Sequence, residues 1–171
     1  MAFSLPRTLN LAACCGCILL LVAAIAMEYF WGLQPCPLCI LQRIILVALG
    51  LLLMIAVLHN PRNWALRFYG FFICMLALSG LWAAARQVWL EHQPASQKAI
   101  CLPGLSYMVS YLPLKQVIQI LFEGEESCGE VKWRLLGLSI ANWTLFCFIA
   151  LFLFGLWQIF YAERPVKPRL K

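Results

Sequence analysis

Four stretches of the chain run long without a charged residue: Leu11 to Met27 (17 residues), Ile44 to Pro61 (18), Phe68 to Ala85 (18) and Leu135 to Ala162 (28). About 20 predominantly apolar residues cross the hydrocarbon layer as a helix. The pattern therefore predicts four transmembrane helices near 10–31, 38–58, 67–90 and 135–160. One connection, from about residue 91 to 134, is long and carries most of the acidic side chains. Within it, after Pro113, Leu114, Val117, Ile118, Leu121 and Phe122 recur at helical spacing, with Lys115, Gln116 and Gln119 opposite and Gly124 as a stop. That spacing predicts a short amphipathic helix, too short to span, lying in the membrane interface. Its alternative is a helix packed on a soluble partner.

Composition hardens this reading. Of 171 residues, 64% are hydrophobic and 12% charged, against roughly 25% charged in an ordinary soluble domain. Burying so much apolar surface in water would need a core larger than this length allows. The expected fold is an all-α membrane protein: a four-helix transmembrane bundle forming a single membrane domain over 1–171, with outer loops at about 32–37 and 91–134. Ala24-Ile25-Ala26 spells a possible signal cleavage site. The apolar run is long for a signal, however, and Tyr29, Phe30 and Trp31 suit the rim of a retained span.

A net charge of +6 raises the question of nucleic acid, but seven of the thirteen Lys and Arg, at 7, 62, 67, 164, 167, 169 and 171, fall at the N-terminus, the second connection and the C-terminus. An even number of spans puts those regions on one side, and the positive-inside bias makes that side cytoplasmic. There is no basic, aromatic-interleaved patch, so no nucleic-acid partner is expected. The tail 162–171, with Pro165 and Pro168 among basic residues, reads as a disordered or surface-lying end. Trp31, Trp89 and Trp133 fall where an aromatic belt would lie at the outer interface.

On this topology the nine cysteines separate by side. Cys14, Cys15 and Cys17 start the first span near the cytoplasmic face, and Cys74 and Cys147 lie inside spans; small, inert membrane-core residues account for them. Cys36, Cys39, Cys101 and Cys128 are all on or near the outer face, an oxidising compartment if the membrane is a bacterial inner one. In Cys36-Pro37-Leu38-Cys39, Pro35 and Pro37 set the backbone before the second helix, which puts Cys39 in its first turn. There the positive end of the helix and its unpaired N–H groups favour a thiolate. Arg43 is one turn further on the same face, a costly place for a cation and a functional one. These features predict a reactive Cys39 with Cys36 as its disulfide partner. Two alternatives stand beside this: half of a four-cysteine zinc site completed by Cys101 and Cys128, and an Arg43 that merely snorkels to the interface.

The segment P-C-P-L-C-I-L-Q-R at 35–43, an outer-loop cysteine at 101 and S-C-G-E-V-K-W-R-L-L-G-L-S at 127–139 together resemble the disulfide bond formation protein B (DsbB) family across essentially the whole chain. The five remaining cysteines are not part of that pattern. The resemblance implies a multi-pass bacterial inner-membrane thiol oxidase that reoxidises a periplasmic DsbA-like partner of thioredoxin fold and passes the electrons to a quinone, a relay already known to keep the bacterial periplasm oxidising. It also implies the redox-active disulfides Cys36 with Cys39 and Cys101 with Cys128, the latter attacked by the partner. Cys39 and Arg43 are implied at the quinone, ubiquinone or menaquinone.

Energetics agree with a quinone sink. A DsbA-type dithiol sits near about −120 mV, so other protein disulfides would oxidise it uphill or at best level. An aromatic slot near Phe30, Trp31 and Cys39 is expected to admit the ring, and Arg43 to hydrogen-bond its carbonyl. His92 is a further candidate donor to the quinone, against an ordinary interfacial histidine. Arg86 reads as an interfacial anchor or a partner of Glu28, and Glu28 as a rim carboxylate without a catalytic task. A vitamin K epoxide reductase type of enzyme would carry its redox motif late in the chain, whereas here it opens the second helix. A metal- or haem-handling membrane protein would use the outer thiols as ligands without turnover, and quinone-dependent oxidation of a dithiol separates it from the oxidase.

Overall fold

Each charge-free run becomes a helix in the computed structural model, which describes residues 5–32, 36–61, 64–92, 134–135 and 137–161. Helix α1 spans Leu5–Trp31, α2 Pro37–His59, α3 Trp64–Glu91 and α4 Ile140–Tyr161. A short antiparallel pair, β1 (Arg134–Leu135) with β2 (Leu138–Ser139), leads into α4. With a rise of 1.5 Å per residue, helices of 22 to 28 residues reach about 33 to 42 Å. All four are long and apolar enough to cross a bilayer.

Local chemistry explains where the helices stop and start. At the end of α2, Asn60 turns into the left-handed region (φ 48°) while its N–H still reaches Ala56 O at 3.0 Å, and Pro61 follows. The α4 boundary departs from the apolar pattern, which places it near 135. Gly137 adopts φ +81°, a conformation open to glycine, and so reverses the chain between β1 and β2. Ser139 then caps the helix: its Oγ accepts from the Asn142 N–H at 3.3 Å and from Asn142 Nδ2 at 2.9 Å. At the other boundary, α1 begins at Leu5, before the apolar run, because Pro6 is tolerated in a first helical turn and polar residues such as Arg7, Thr8 and Asn10 do not break a helix.

The helices pack in chain order, α1 on α2, α2 on α3 and α3 most extensively on α4. Small residues make the last contact possible. A Cβ on Gly155 would come 2.7 Å from Cys74 Sγ and 3.0 Å from the Gly70 carbonyl oxygen, and one on Gly80 would run into the Phe148 ring. Cys17, Leu49, Leu53, Ile73 and Phe148 form the buried centre. Leu19, Val22, Leu58, Phe71, Trp82 and Phe160 face outward, as lipid-facing side chains do. At the end holding the two chain termini, Gln158 Nε2 donates to Asn10 Oδ1 at 2.6 Å and ties α4 to α1. The expected interfacial helix at 113–122, the loop cysteines 101 and 128 and the tail from 162 lie outside the described residues.

Candidate functional site

The opposite end of the bundle, where α1 and α3 finish and α2 begins, holds the described residues of the candidate site. Cys36 is the N-cap of α2, extended at φ −72° and ψ 161°, with Pro37 in the first turn. Its carbonyl accepts the Ile40 N–H at 3.1 Å, and its Sγ accepts the Cys39 N–H at 3.2 Å. A sulfur thus satisfies one of the N–H groups that a helix start leaves open. The capping sulfur belongs to Cys36, and Cys39 sits a turn inside it, a division of labour that spacing alone does not reveal.

The two sulfurs are 2.7 Å apart. Against a bond length of about 2.05 Å, closing a disulfide needs a movement of roughly 0.7 Å. Cys36 and Leu38 are buried, with Cys39 and Leu90 packed against them, so the pair sits in an apolar shell that Cys39 leaves open in part. On its α3 side Cys39 meets Gln87, whose Nε2 donates to Cys39 Sγ at 3.4 Å. Gln87 Oε1 in turn accepts from Gln42 Nε2 at 2.9 Å. Sequence reasoning passed over both glutamines. The signal was present, since a polar residue inside an apolar span is expensive and usually has a task.

Arg43 reaches the other way, to α1. Its Nη1 donates to Glu28 Oε2 at 2.6 Å and its Nη2 to the Ala24 carbonyl at 3.2 Å, so the guanidinium grips one turn of α1. The pair is part-buried, the side chains 25% and 42% exposed. These bonds use two of the five guanidinium N–H donors among the described residues. Glu28 is therefore the counter-ion of Arg43. Arg86, the partner offered for it from sequence, lies over the Trp89 ring instead, 4.4 Å from its centroid.

His92 follows the end of α3 and is exposed. Its Nδ1 lies 2.7 Å from the Val88 carbonyl. A carbonyl only accepts, so the hydrogen is on Nδ1, which leaves Nε2 as the acceptor of the neutral ring. Of the residues expected to form an aromatic slot, Phe30 stands open on the outside of α1, edge-on to Tyr29. The side chain of Trp31 lies outside the described residues, as do Cys101 and Cys128.

Two cysteine sulfurs 2.7 Å apart at a helix mouth, at one end of four helices long and apolar enough to span a membrane, set the context for comparison with known proteins. The family model described as disulfide bond formation protein DsbB matches residues 6–158. The chain belongs to the DsbB family. It is 39% identical over 159 residues to disulfide bond formation protein B of Stutzerimonas stutzeri, covering 93% of this chain and 98% of that one. The protein of the same name from Methylococcus capsulatus is 39% identical over 164 residues (96% and 100%), and that from Acinetobacter baumannii 44% over 138 residues (80% and 81%). As a DsbB family member the chain is a multi-pass membrane protein of disulfide bond formation, and the cysteines it carries suit a disulfide-forming oxidoreductase.

Proposed function

We propose that this DsbB family member is a bacterial inner-membrane thiol oxidase, with both termini cytoplasmic, that reoxidises a periplasmic DsbA-like dithiol protein and delivers the electrons to a membrane quinone. The observation that carries the reading is the Cys36–Cys39 pair, sulfurs 2.7 Å apart at the mouth of a membrane helix. In the proposed sequence the partner's thiolate attacks the Cys101–Cys128 disulfide, and exchange passes two electrons on to the Cys36–Cys39 disulfide. At each exchange the attacking sulfur forms the new S–S bond and the displaced sulfur leaves with the electron pair as a thiolate. The loop pair faces the partner because it lies in the long outer connection, and the interfacial helix at 113–122 would keep it near Cys36.

The residues at the helix mouth suit a quinone. Cys39 is partly open, and Arg43 retains N–H donors beyond those given to Glu28 and Ala24. Arg43, Cys39 and His92 are the groups that would hold the ring. Quinone, as the second substrate, takes up the two electrons and two protons released by the dithiol. Arg43 would orient a carbonyl oxygen and favour negative charge there. His92, with its Nδ1–H engaged at Val88, leaves Nε2 as the ring atom for the quinone, an acceptor in the neutral ring and a donor only when the ring carries a second proton.

The test is turnover of the purified protein in lipid nanodiscs with a reduced DsbA-like protein and a soluble quinone. One quinone reduced per dithiol oxidised is the expected result. Dithiol oxidation that proceeds equally without quinone, or none at all, would overturn the reading.

A further inference from the structure

We propose that Gln87 is a hydrogen-bond donor from α3 that, beside Cys36, helps hold the Cys39 sulfur in its ionised, reactive form, and that Gln42 fixes the direction in which Gln87 donates. The proposal rests on Cys39 being a redox-active sulfur, as argued above, and adds a group to its site that neither the helix-mouth motif nor Arg43 provides.

The geometry is a three-membered chain across the α2–α3 contact. Gln42 lies three residues after Cys39, so both side chains are on the face of α2 turned toward α3. From α3, Gln87 inserts between them: Nε2 to Cys39 Sγ at 3.4 Å, Oε1 to Gln42 Nε2 at 2.9 Å. Gln42 and Gln87 are both buried. A glutamine amide has a donor end and an acceptor end, and only the donor end favours a thiolate. Turning Gln87 to offer its oxygen to sulfur would set two NH₂ groups against each other at Gln42, unless that amide turned as well. Buried amides with little water to replace a lost partner make such a turn costly.

The arrangement is separate from the cation. Arg43 spends its two described hydrogen bonds on α1, so α1 supplies the counter-ion environment and α3 supplies the neutral donor. Besides Cys39, the titratable and charged groups at this end of the helices, among the described side chains, are Cys36 and Arg43 at the start of α2, Glu28 and Tyr29 on α1, Arg86 and Glu91 on α3, and His92 just after it. Of the described side chains, Cys36 and Gln87 are those hydrogen-bonded to the Cys39 sulfur.

The experiment reads ionisation directly in the fully reduced, full-length protein. The rate of iodoacetamide modification at Cys39 is followed by mass spectrometry at neutral pH and at strongly alkaline pH, in Gln87→Leu, Gln87→Glu and Gln42→Leu. Losing a hydrogen bond to a charged sulfur should slow the neutral-pH reaction about tenfold in Gln87→Leu. Gln87→Glu keeps the shape but presents an acceptor, and should slow it at least as much. Gln42→Leu leaves Gln87 in place and should act in the same direction by a smaller factor, which keeps the test alive if position 87 does not tolerate leucine. At alkaline pH, where every thiol is ionised, all variants should match the parent. Unchanged neutral-pH rates, or a slowing that persists at alkaline pH and so reports access, would overturn the proposal. Neither quinone nor partner enters this measurement, so it stands or falls separately from the turnover assay.

Discussion

Arg43 of α2 and Glu28 of α1 form a 2.6 Å ion pair beside the opening of the second helix, and the same guanidinium bonds the Ala24 carbonyl one turn away from Glu28. A cation and a carboxylate at the rim of a membrane bundle each cost free energy alone and are kept because they satisfy each other. The pairing also holds the guanidinium near the start of α2 with N–H donors beyond those given to Glu28 and Ala24, where the proposed quinone would meet it.

Arg43→Ala should therefore raise the apparent KM for quinone by about tenfold or more, the worth of one charge-assisted hydrogen bond, and change that for the dithiol partner little. Pairing with Glu28 is the competing role for Arg43. The double variant Glu28→Gln with Arg43→Met separates the two roles, since it removes both charges. Quinone KM should stay high in it. Recovery to the parent value, or equal effects on both substrates in Arg43→Ala, would make Arg43 a structural residue only.

The packing of α3 on α4 gives a prediction independent of chemistry. A methyl group at Gly155 meets Cys74 Sγ at 2.7 Å and the Gly70 backbone oxygen at 3.0 Å, and backbone cannot move aside without parting the helices. Gly155→Ala should destabilise the protein by about 1 to 3 kcal/mol. At Gly50 the nearest atom to an added methyl is Cys17 Cβ, 3.8 Å away, an ordinary contact. Gly50→Ala should leave stability unchanged or slightly raised. Denaturant unfolding in mixed micelles measures both, and equal losses in the two variants would contradict the packing described.

How much of this was legible beforehand follows from the range of each interaction. The spans were readable because a charge-free run of helical length has few other meanings, and Pro37 between two cysteines announced a helix start with sulfur at its mouth. The start of α4 was not, since the apolar run continues through Gly137 and only the backbone there shows the turn. The partner of Arg43 lies 15 residues away on another helix, and Gln87 is 48 residues from Cys39. Periodicity assigns a face to each of these residues but does not set the register between helices, so Arg86 was offered to Glu28 in the place that Arg43 fills, and the glutamines went unread.

Among the described cysteines, Cys36 and Cys39 sit at the mouth of α2 and the other five lie along α1, α3 and α4. Cys14 and Cys17 are buried between helices, and Cys74 points its sulfur at the Phe152 carbonyl, 3.6 Å away. Replacing Cys14, Cys15, Cys17, Cys74 and Cys147 together with alanine should preserve turnover per folded molecule, while alanine at Cys36, Cys39, Cys101 or Cys128 should abolish it. Quinone-linked oxidation of the dithiol partner checks both halves. Lost activity in well-folded protein lacking only the first five would refute the assignment.

For the order of exchange, Cys128→Ser leaves Cys101 without an internal partner. It should accumulate a mixed disulfide between Cys101 and the reactive cysteine of the DsbA-like protein, because the second exchange step cannot resolve it. Non-reducing gels and peptide mapping locate the bond. A partner joined reproducibly to Cys36 or Cys39 would reverse the proposed order.

The central claim is that Cys36 and Cys39 are the thiols that quinone oxidises. It is tested most directly in a protein carrying Cys101→Ala and Cys128→Ala, fully reduced and mixed with one equivalent of quinone in the absence of partner. The account expects one quinone reduced for each Cys36–Cys39 disulfide formed, with the other five thiols still free by alkylation mapping. Quinone left oxidised beside a free Cys36 and Cys39, or reduced at the expense of the other cysteines, would contradict it.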